Sequence, residues 1–214
     1  MAIERAVLMV ESRSLAEVEK YEMFQERAPR SGHIEVIAGS MFSGKTEELI
    51  RRLKRAQIAQ LKVMVFKPLT DNRYADNAVV THDDGRMEAR PVASSHEILE
   101  AARDVEVVGL DEAQFFDDGI VRVANQLADQ GKRVVVAGLD MDYNGVPFGP
   151  MPNLMAVAEF VTKVHAICVR SGELAHYSHR LTADPNQVML GDRRTYEPLS
   201  RAEFVRERNQ TPEA

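Results

Sequence analysis

The stretch Gly39-Ser-Met-Phe-Ser-Gly44-Lys45-Thr46 restricts what this 214-residue chain can fold into more than any other part of it. It meets the pattern GxxxxGK[ST] in full. Ahead of it, His33 to Ala38 sets Ile34, Val36 and Ala38 in alternation with Glu35, as a strand does. Behind it, Thr46 to Ile58 predicts a helix, with Leu49, Ile50, Leu53, Ala56 and Ile58 at apolar spacing and Glu47 and Glu48 in the first turn. Strand, glycine loop and helix together turn a string match into a mechanism. The backbone N–H groups of Gly39, Ser40, Met41, Phe42, Ser43 and Gly44, with the start of the helix, would form a nest for phosphate oxygens. The two glycines permit backbone angles and close approaches that a side chain would block. Lys45 sets a point charge against the outer phosphates of a nucleotide, and the Thr46 hydroxyl is the expected Mg2+ ligand. The plainer reading, a glycine turn before an amphipathic helix, needs two Gly, a Lys and a Thr to coincide at fixed offsets.

Composition narrows the class of ligand. The net charge of −6 and pI near 5.6 have the wrong sign for a chain that wraps nucleic acid through its phosphates. A small chelated anion such as Mg·ATP, held locally against an acidic background, fits better. Hydrophobic content of 44% with 28% charged residues is globular in character. A single cysteine rules out an intrachain disulfide and any all-cysteine metal site within one chain. No apolar run has the length of a membrane span, and the expectation is a cytoplasmic protein without membrane or nucleic-acid partners.

Residues 1–31 read as an N-terminal extension. Ser14-Leu-Ala-Glu17 has capping-box spacing, Leu15, Val18, Tyr21 and Phe24 share a helical stripe, and Ala28 to Gly32 is rich in breakers. Both a regulatory helix and a loosely attached tail fit that pattern. Past the first helix, Lys62 to Lys67 predicts a strand, with Asp71 and Arg73 in the polar loop at its carboxyl end, where open α/β sheets bind ligands. Ala89 to Val92 reads as a short edge strand, and Ser95 to Ala102 as a helix capped by Ser94 or Ser95. Val105 to Leu110 followed by Asp111-Glu112 is an apolar strand ending in carboxylates. Asp111 is placed to reach a Mg2+ zone and Glu112 to act as general base. Val121 to Gln130 predicts an amphipathic helix closed by Gly131, Lys132 to Ala137 a buried strand, Asn153 to Lys163 a helix and Val164 to Val169 a strand. Leu139, Tyr143 and Phe148 lie in a turn-rich segment suited to an apolar pocket. Ala175 to Arg180 and Gln187 to Gly191 predict a small β pair, and residues 206–214 a polar tail.

Taken together, Gly39 to Thr46, Asp71-Asn-Arg-Tyr74, Thr81-His-Asp83, Asp111-Glu-Ala-Gln-Phe-Phe116, Gly138-Leu-Asp140 and Pro147-Phe-Gly149 closely resemble the type II thymidine kinases, the cytosolic cellular and bacterial kind. The likeness runs from about Gly32 to Phe204. It implies a P-loop NTPase, RecA-like parallel α/β sheet with helices on both faces over residues 32–166, and a small β-rich lasso domain over residues 167–205. It implies ATP and Mg2+ as cofactors, with Lys45, Thr46 and Asp71 at the phosphates and Asp111 on the Mg2+ side. Glu112 matches the base for the nucleoside 5′-hydroxyl, and Arg73 the residue that steadies the transferred phosphoryl group. Met41, Phe115, Leu139 and Phe148 match the walls around thymine. Ser178, Met189, Gly191 and Tyr196 match the substrate-binding lasso region. The family forms homotetramers inhibited by dTTP, so a homotetramer or homodimer is expected here. A P-loop ATPase and a nucleotide-sensing module remain the alternatives to a kinase.

One departure stands out. Family members carry a structural Zn2+ in two Cys-x-x-Cys pairs, which here read Cys168-Val-Arg-Ser171 and Ser200-Arg-Ala-Glu203. Hydroxyls are poor zinc ligands, so no structural zinc is expected. The small domain must then hold through packing and hydrogen bonds, with a lid that moves more when empty.

Overall fold

The computed structural model describes residues 31–69, 78–80, 86–181 and 195–210. β1 (His33–Gly39), β2 (Val63–Pro68), β5 (Arg90–Val92), β6 (Val107–Leu110), β7 (Arg133–Gly138) and β8 (Phe160–Val164) form one sheet in the order β5-β2-β6-β7-β1-β8. Every pairing in it is parallel. Between β2 and β5 lies a short antiparallel pair, β3 (Ala78–Val80) with β4 (Arg86–Glu88).

A parallel sheet is covered on both faces, so its central strands read as unbroken apolar runs. Ile34, Val36, Phe66, Val108, Leu110, Val134 and Val136 face one layer, built from α2 (His96–Ala101), α3 (Gly119–Asp129) and α4 (Met151–Val157). Ile37, Val65, Val107, Val135 and Ala137 face the other, where α1 (Lys45–Ile58) packs Leu49, Ile50, Leu53 and Ala56. Because the strands are parallel, the residues after β1, β6 and β7 emerge along one edge.

Glu35 breaks the apolar pattern of β1 and is nonetheless buried. Its carboxylate accepts hydrogen bonds from Arg52 of α1 at 2.8 Å, Arg133 of β7 at 2.6 Å and His33 at 2.9 Å. Arg52 also donates to Thr162 of β8 at 3.0 Å, so one ionic knot ties three neighbouring strands to the helix that follows the glycine loop. Burial pushes the Glu35 carboxyl up, but the His33 and Arg133 hydrogen bonds and the charges of Arg133 and Arg52 bring it down to about 2.

The C-terminal lobe has two short antiparallel pairs, β9 (Ala166–Ile167) with β10 (Leu174–Ala175) and β11 (Tyr177–Arg180) with β12 (Tyr196–Leu199), closed by α5 (Arg201–Gln210). Ala166, Cys168, Ala175, Tyr177, Leu199 and Phe204 form its core, with Phe42 and Met141 of the sheet lobe packed against it.

Several local expectations are corrected. The helix expected over Asn153 to Lys163 stops at Val157, and Phe160–Val164 is instead the sheet's edge strand. Glu159 accepts the Ile34 N–H at 2.7 Å, which leads Phe160 into register with Glu35. The strand expected from Val164 onward shrinks to β9. The strand at Tyr177–Arg180 pairs with Tyr196–Leu199, while the partner expected for it at Gln187 to Gly191 lies outside the described residues. The Ser95 hydroxyl does not cap α2; it donates to Asp117 at 2.6 Å, and Glu97 accepts the N–H groups of Ala93 and Ser94. The tail expected from Arg206 continues as helix to Gln210. The helix expected around Ser14 lies outside the described residues.

Candidate active site

β1 ends at Gly39, where a Cβ would sit 2.2 Å from the Val164 carbonyl oxygen of β8, so only glycine lets the chain leave the sheet here. The loop then closes on itself: the Ser43 hydroxyl and the Lys45 ammonium each donate to the Ser40 carbonyl at 2.7 Å. Gly44, in the left-handed region at φ 83°, turns the chain into α1, and Glu48 N–H begins the helical ladder on Gly44 O. The N-terminus of α1 therefore opens at the sheet edge with Lys45 and Thr46 in its first turn, the arrangement that binds phosphate.

The residues after β6 meet that turn. The Thr46 hydroxyl lies 3.5 Å from Asp111 Oδ1, and that same oxygen accepts the Glu112 N–H at 3.0 Å. Asp111 is buried and Glu112 is partly exposed. Glu112 adopts φ 51°, ψ 42°, unusual for a residue with a side chain, where the chain passes from β6 into the 3-10 turn Ala113–Phe115. Two hard oxygens from Thr46 and Asp111, close together beside a phosphate nest, fit Mg2+.

The residues that follow Glu112 and β7 build an apolar wall. Phe115, in the 3-10 turn Ala113–Phe115, meets Phe148 edge to face with centroids 5.5 Å apart. Leu139 and Phe148 are both buried. The loop between them is held internally: Asp142 accepts the N–H groups of Asn144 and Val146, and Met141 bridges to Pro147. Phe148 N–H bonds to the Asp140 carbonyl at 3.1 Å, while the Asp140 carboxylate pairs with Lys163 of β8 at 2.7 Å.

The C-terminal lobe docks directly on the glycine loop. Ser178 Oγ accepts the Met41 N–H at 2.9 Å. Tyr196 is buried, its hydroxyl accepting from Arg180 at 2.8 Å, and the Arg180 guanidinium lies 3.7 Å over the Tyr143 ring. The glycine loop, Thr46, Asp111, Glu112, Phe115, Leu139, Phe148, Ser178 and Tyr196 are thus placed around one sheet edge. Asp71, Arg73, Met189 and Gly191 lie outside the described residues.

The residues at the family's zinc positions do not fit zinc. Cys168 is the single thiol, and the Ser171 and Ser200 hydroxyls lie 3.4 Å apart, within reach of each other. Glu203 pairs with Arg206 at 2.6 Å. Burial pushes the Cys168 thiol up, but hydrogen bonds from the Ser171 hydroxyl and from backbone N–H groups nearby bring it down to about 7. His176 packs its ring on His165 with centroids 4.5 Å apart, and no group of three metal-ligating side chains occurs among the described residues. No helix among them is long and apolar enough to cross a membrane.

Sequence reasoning passed over Gln114. It is buried, donates from Nε2 to Glu112 Oε2 at 2.6 Å, and accepts the Leu139 N–H on Oε1 at 2.9 Å. A glutamine next to two phenylalanines has no chemical signature of its own; only its place in the Asp111–Phe116 block marked it.

A parallel sheet carrying a glycine-loop phosphate nest, with a carboxylate pair after the next strand but one, defines a P-loop nucleotide-binding protein. Residues 32–204 match the family model for thymidine kinase, and the chain belongs to that family. It is 56% identical over 177 residues to a thymidine kinase of Bacteroides fragilis, covering 83% of this chain and 89% of that one. A thymidine kinase of Porphyromonas gingivalis is 59% identical over 172 residues, covering 80% of this chain and 84% of that one. Among solved structures, the flagellar accessory protein FlaH from Methanocaldococcus jannaschii aligns with a TM-score of 0.47 and 12% identity over 68% of this chain and 76% of that one, too loose a likeness to carry weight.

Proposed function

We propose that this protein transfers the γ-phosphoryl group of ATP to the 5′-hydroxyl of thymidine, with deoxyuridine as a second substrate. The observation that carries the reading is the position of Glu112. It is tied on one side to Asp111, whose Oδ1 lies 3.5 Å from the Thr46 hydroxyl, and on the other, through Gln114, to the Leu139 backbone. A base placed there meets an alcohol whose heterocycle lies against the wall and whose acceptor oxygen faces the nucleotide.

Catalysis by this arrangement is positioning and charge stabilisation. Loop amides and Lys45 hold the phosphates. Glu112 accepts the proton of the attacking hydroxyl, and Arg73 steadies the charge on the transferring group. Thr46 and Asp111 would hold Mg2+, which when bound neutralises charge on the phosphate oxygens. Met41, Ser178 and Tyr196, with Met189 and Gly191, would complete the nucleoside site. Membership of the family extends the proposal to a cytoplasmic homotetramer or homodimer inhibited by dTTP, while the departure at Ser171, Ser200 and Glu203 leaves structural zinc out of it.

Measuring ADP release with and without thymidine tests it. Release that depends on thymidine, with dTMP formed in equal amount, is the expected result. Release independent of thymidine would mark an ATPase, and no release with nucleotide still bound would mark a sensor; either overturns the proposal.

A further inference from the structure

Gln114 has both ends of its amide engaged, and each partner belongs to a different part of the site. The NH2 group donates to the Glu112 carboxylate, and the carbonyl oxygen accepts from the Leu139 backbone on the nucleoside wall. The two partners settle which way the amide faces. Rotated by half a turn, it would set oxygen against carboxylate and NH2 against N–H. The surroundings are shaped to it as well. Gly138 lies so close that a Cβ there would sit 2.9 Å from the Gln114 side-chain oxygen.

Glu112 needs such support. Its backbone is in the left-handed region, and its N–H is anchored on Asp111. Those contacts direct the start of the side chain and leave the carboxylate to be aimed by what it meets. A general base must hold its oxygen within hydrogen-bond reach of the proton it takes, and an error of about 1 Å costs on the order of 100-fold in rate.

We propose that Gln114 is a positioning residue that aims the Glu112 carboxylate and couples its orientation to the wall at Leu139. This rests on the reading of Glu112 as base. Occupation of the pocket, by fixing the Leu139 backbone, then also fixes the base, so the carboxylate is set for proton transfer when a nucleoside is bound against that wall.

The test uses the full chain with Gln114→Met, Gln114→Glu and Glu112→Gln made in parallel. Gln114→Met keeps length and removes both hydrogen bonds. Its kcat is expected to fall by about 10- to 100-fold, with ADP affinity by calorimetry unchanged within about 2-fold. Gln114→Glu keeps the volume but sets two carboxyls where a hydrogen bond stood. Two carboxyls so close share a proton, so its kcat–pH profile should gain a titration between about pH 5 and pH 8 that the wild type lacks. A merely structural glutamine would change melting temperature and leave the kcat of the folded Gln114→Met enzyme alone. Should the methionine variant not fold, Gln114→Asn, one methylene too short to reach Glu112, takes its place, with a fall in kcat of about 10-fold and unchanged ADP affinity expected. Profiles and turnover like wild type in the Gln114 variants, beside an impaired Glu112→Gln, would overturn the role of Gln114 alone. Wild-type turnover in Glu112→Gln would overturn the base and this proposal together.

Discussion

The sheet lobe and the C-terminal lobe meet at the glycine loop but are held together by opposite means. In the sheet lobe a carboxylate, Glu35, is buried between Arg52 and Arg133, inside six parallel strands with helices on both faces. In the C-terminal lobe the interior is apolar, with the Tyr177 and Phe204 rings stacked 4.2 Å apart. Its ion pairs of Arg170 with Glu197 and Glu207 lie outside, and the buried Arg180 donates to the Tyr196 hydroxyl. Removing one member of a buried ion pair leaves the other charge uncompensated, so the first arrangement is intolerant of loss. A small core closed by surface ion pairs depends more on packing, and part of its packing, Phe42 and Met141, comes from the other lobe. This lobe therefore leans on the glycine loop.

The comparison breaks first at Glu35. Glu35→Ala leaves Arg133 without its carboxylate and Arg52 with Glu48 alone, and is expected to lower stability by about 3 kcal/mol, read by urea unfolding. If the loss is under about 1 kcal/mol, the knot is not what holds the sheet lobe. In the small lobe, Phe204→Ala should cost about 3 kcal/mol as a cavity under Tyr177. That loss should appear as faster protease cleavage in residues 166–210, with the sheet lobe still protected. Uniform cleavage of both lobes would show that they unfold as one.

Acid sharpens the contrast. The Glu35 carboxyl is depressed from 4.5 to about 2. Its stabilisation, on the order of 3 kcal/mol, is therefore present above pH 4.5 and lost as pH falls towards 2. A Glu35→Gln variant should lack that part of the acid dependence; an identical slope in the variant would assign the acid loss elsewhere. Last and least, Arg170→Ala removes only surface pairs and should move the melting temperature by about 2 °C or less. Collapse of the lobe in that variant would reverse the comparison and make the ion pairs, not the rings, its support.

Legibility followed the range of the interactions. β1, the glycine loop and α1 were readable because strand alternation, loop glycines and helical spacing are neighbours in sequence. The same holds for β6 ending in Asp111 and for α3. Phe160–Val164 was misread as helix because its short run fits either period, and the open edge of β1 decided between them. The partner of Tyr177–Arg180 was missed because Tyr196–Leu199 is distant in sequence and nothing local marks the pairing. In the site, Thr46, Asp111 and Glu112 were expected together from motif logic, whereas Gln114 became visible only when Leu139 arrived beside it from another strand.

On its own the sequence determined the phosphate nest and the carboxylates that face it, since an anion cradle is made of consecutive amides and one helix start, and those need no distant partner. The tertiary structure decided the sheet's far edge, the pairing in the small lobe and what aims the base. Those depend on which unpaired backbone groups and buried polar atoms meet, and that meeting is settled only when the sheet assembles.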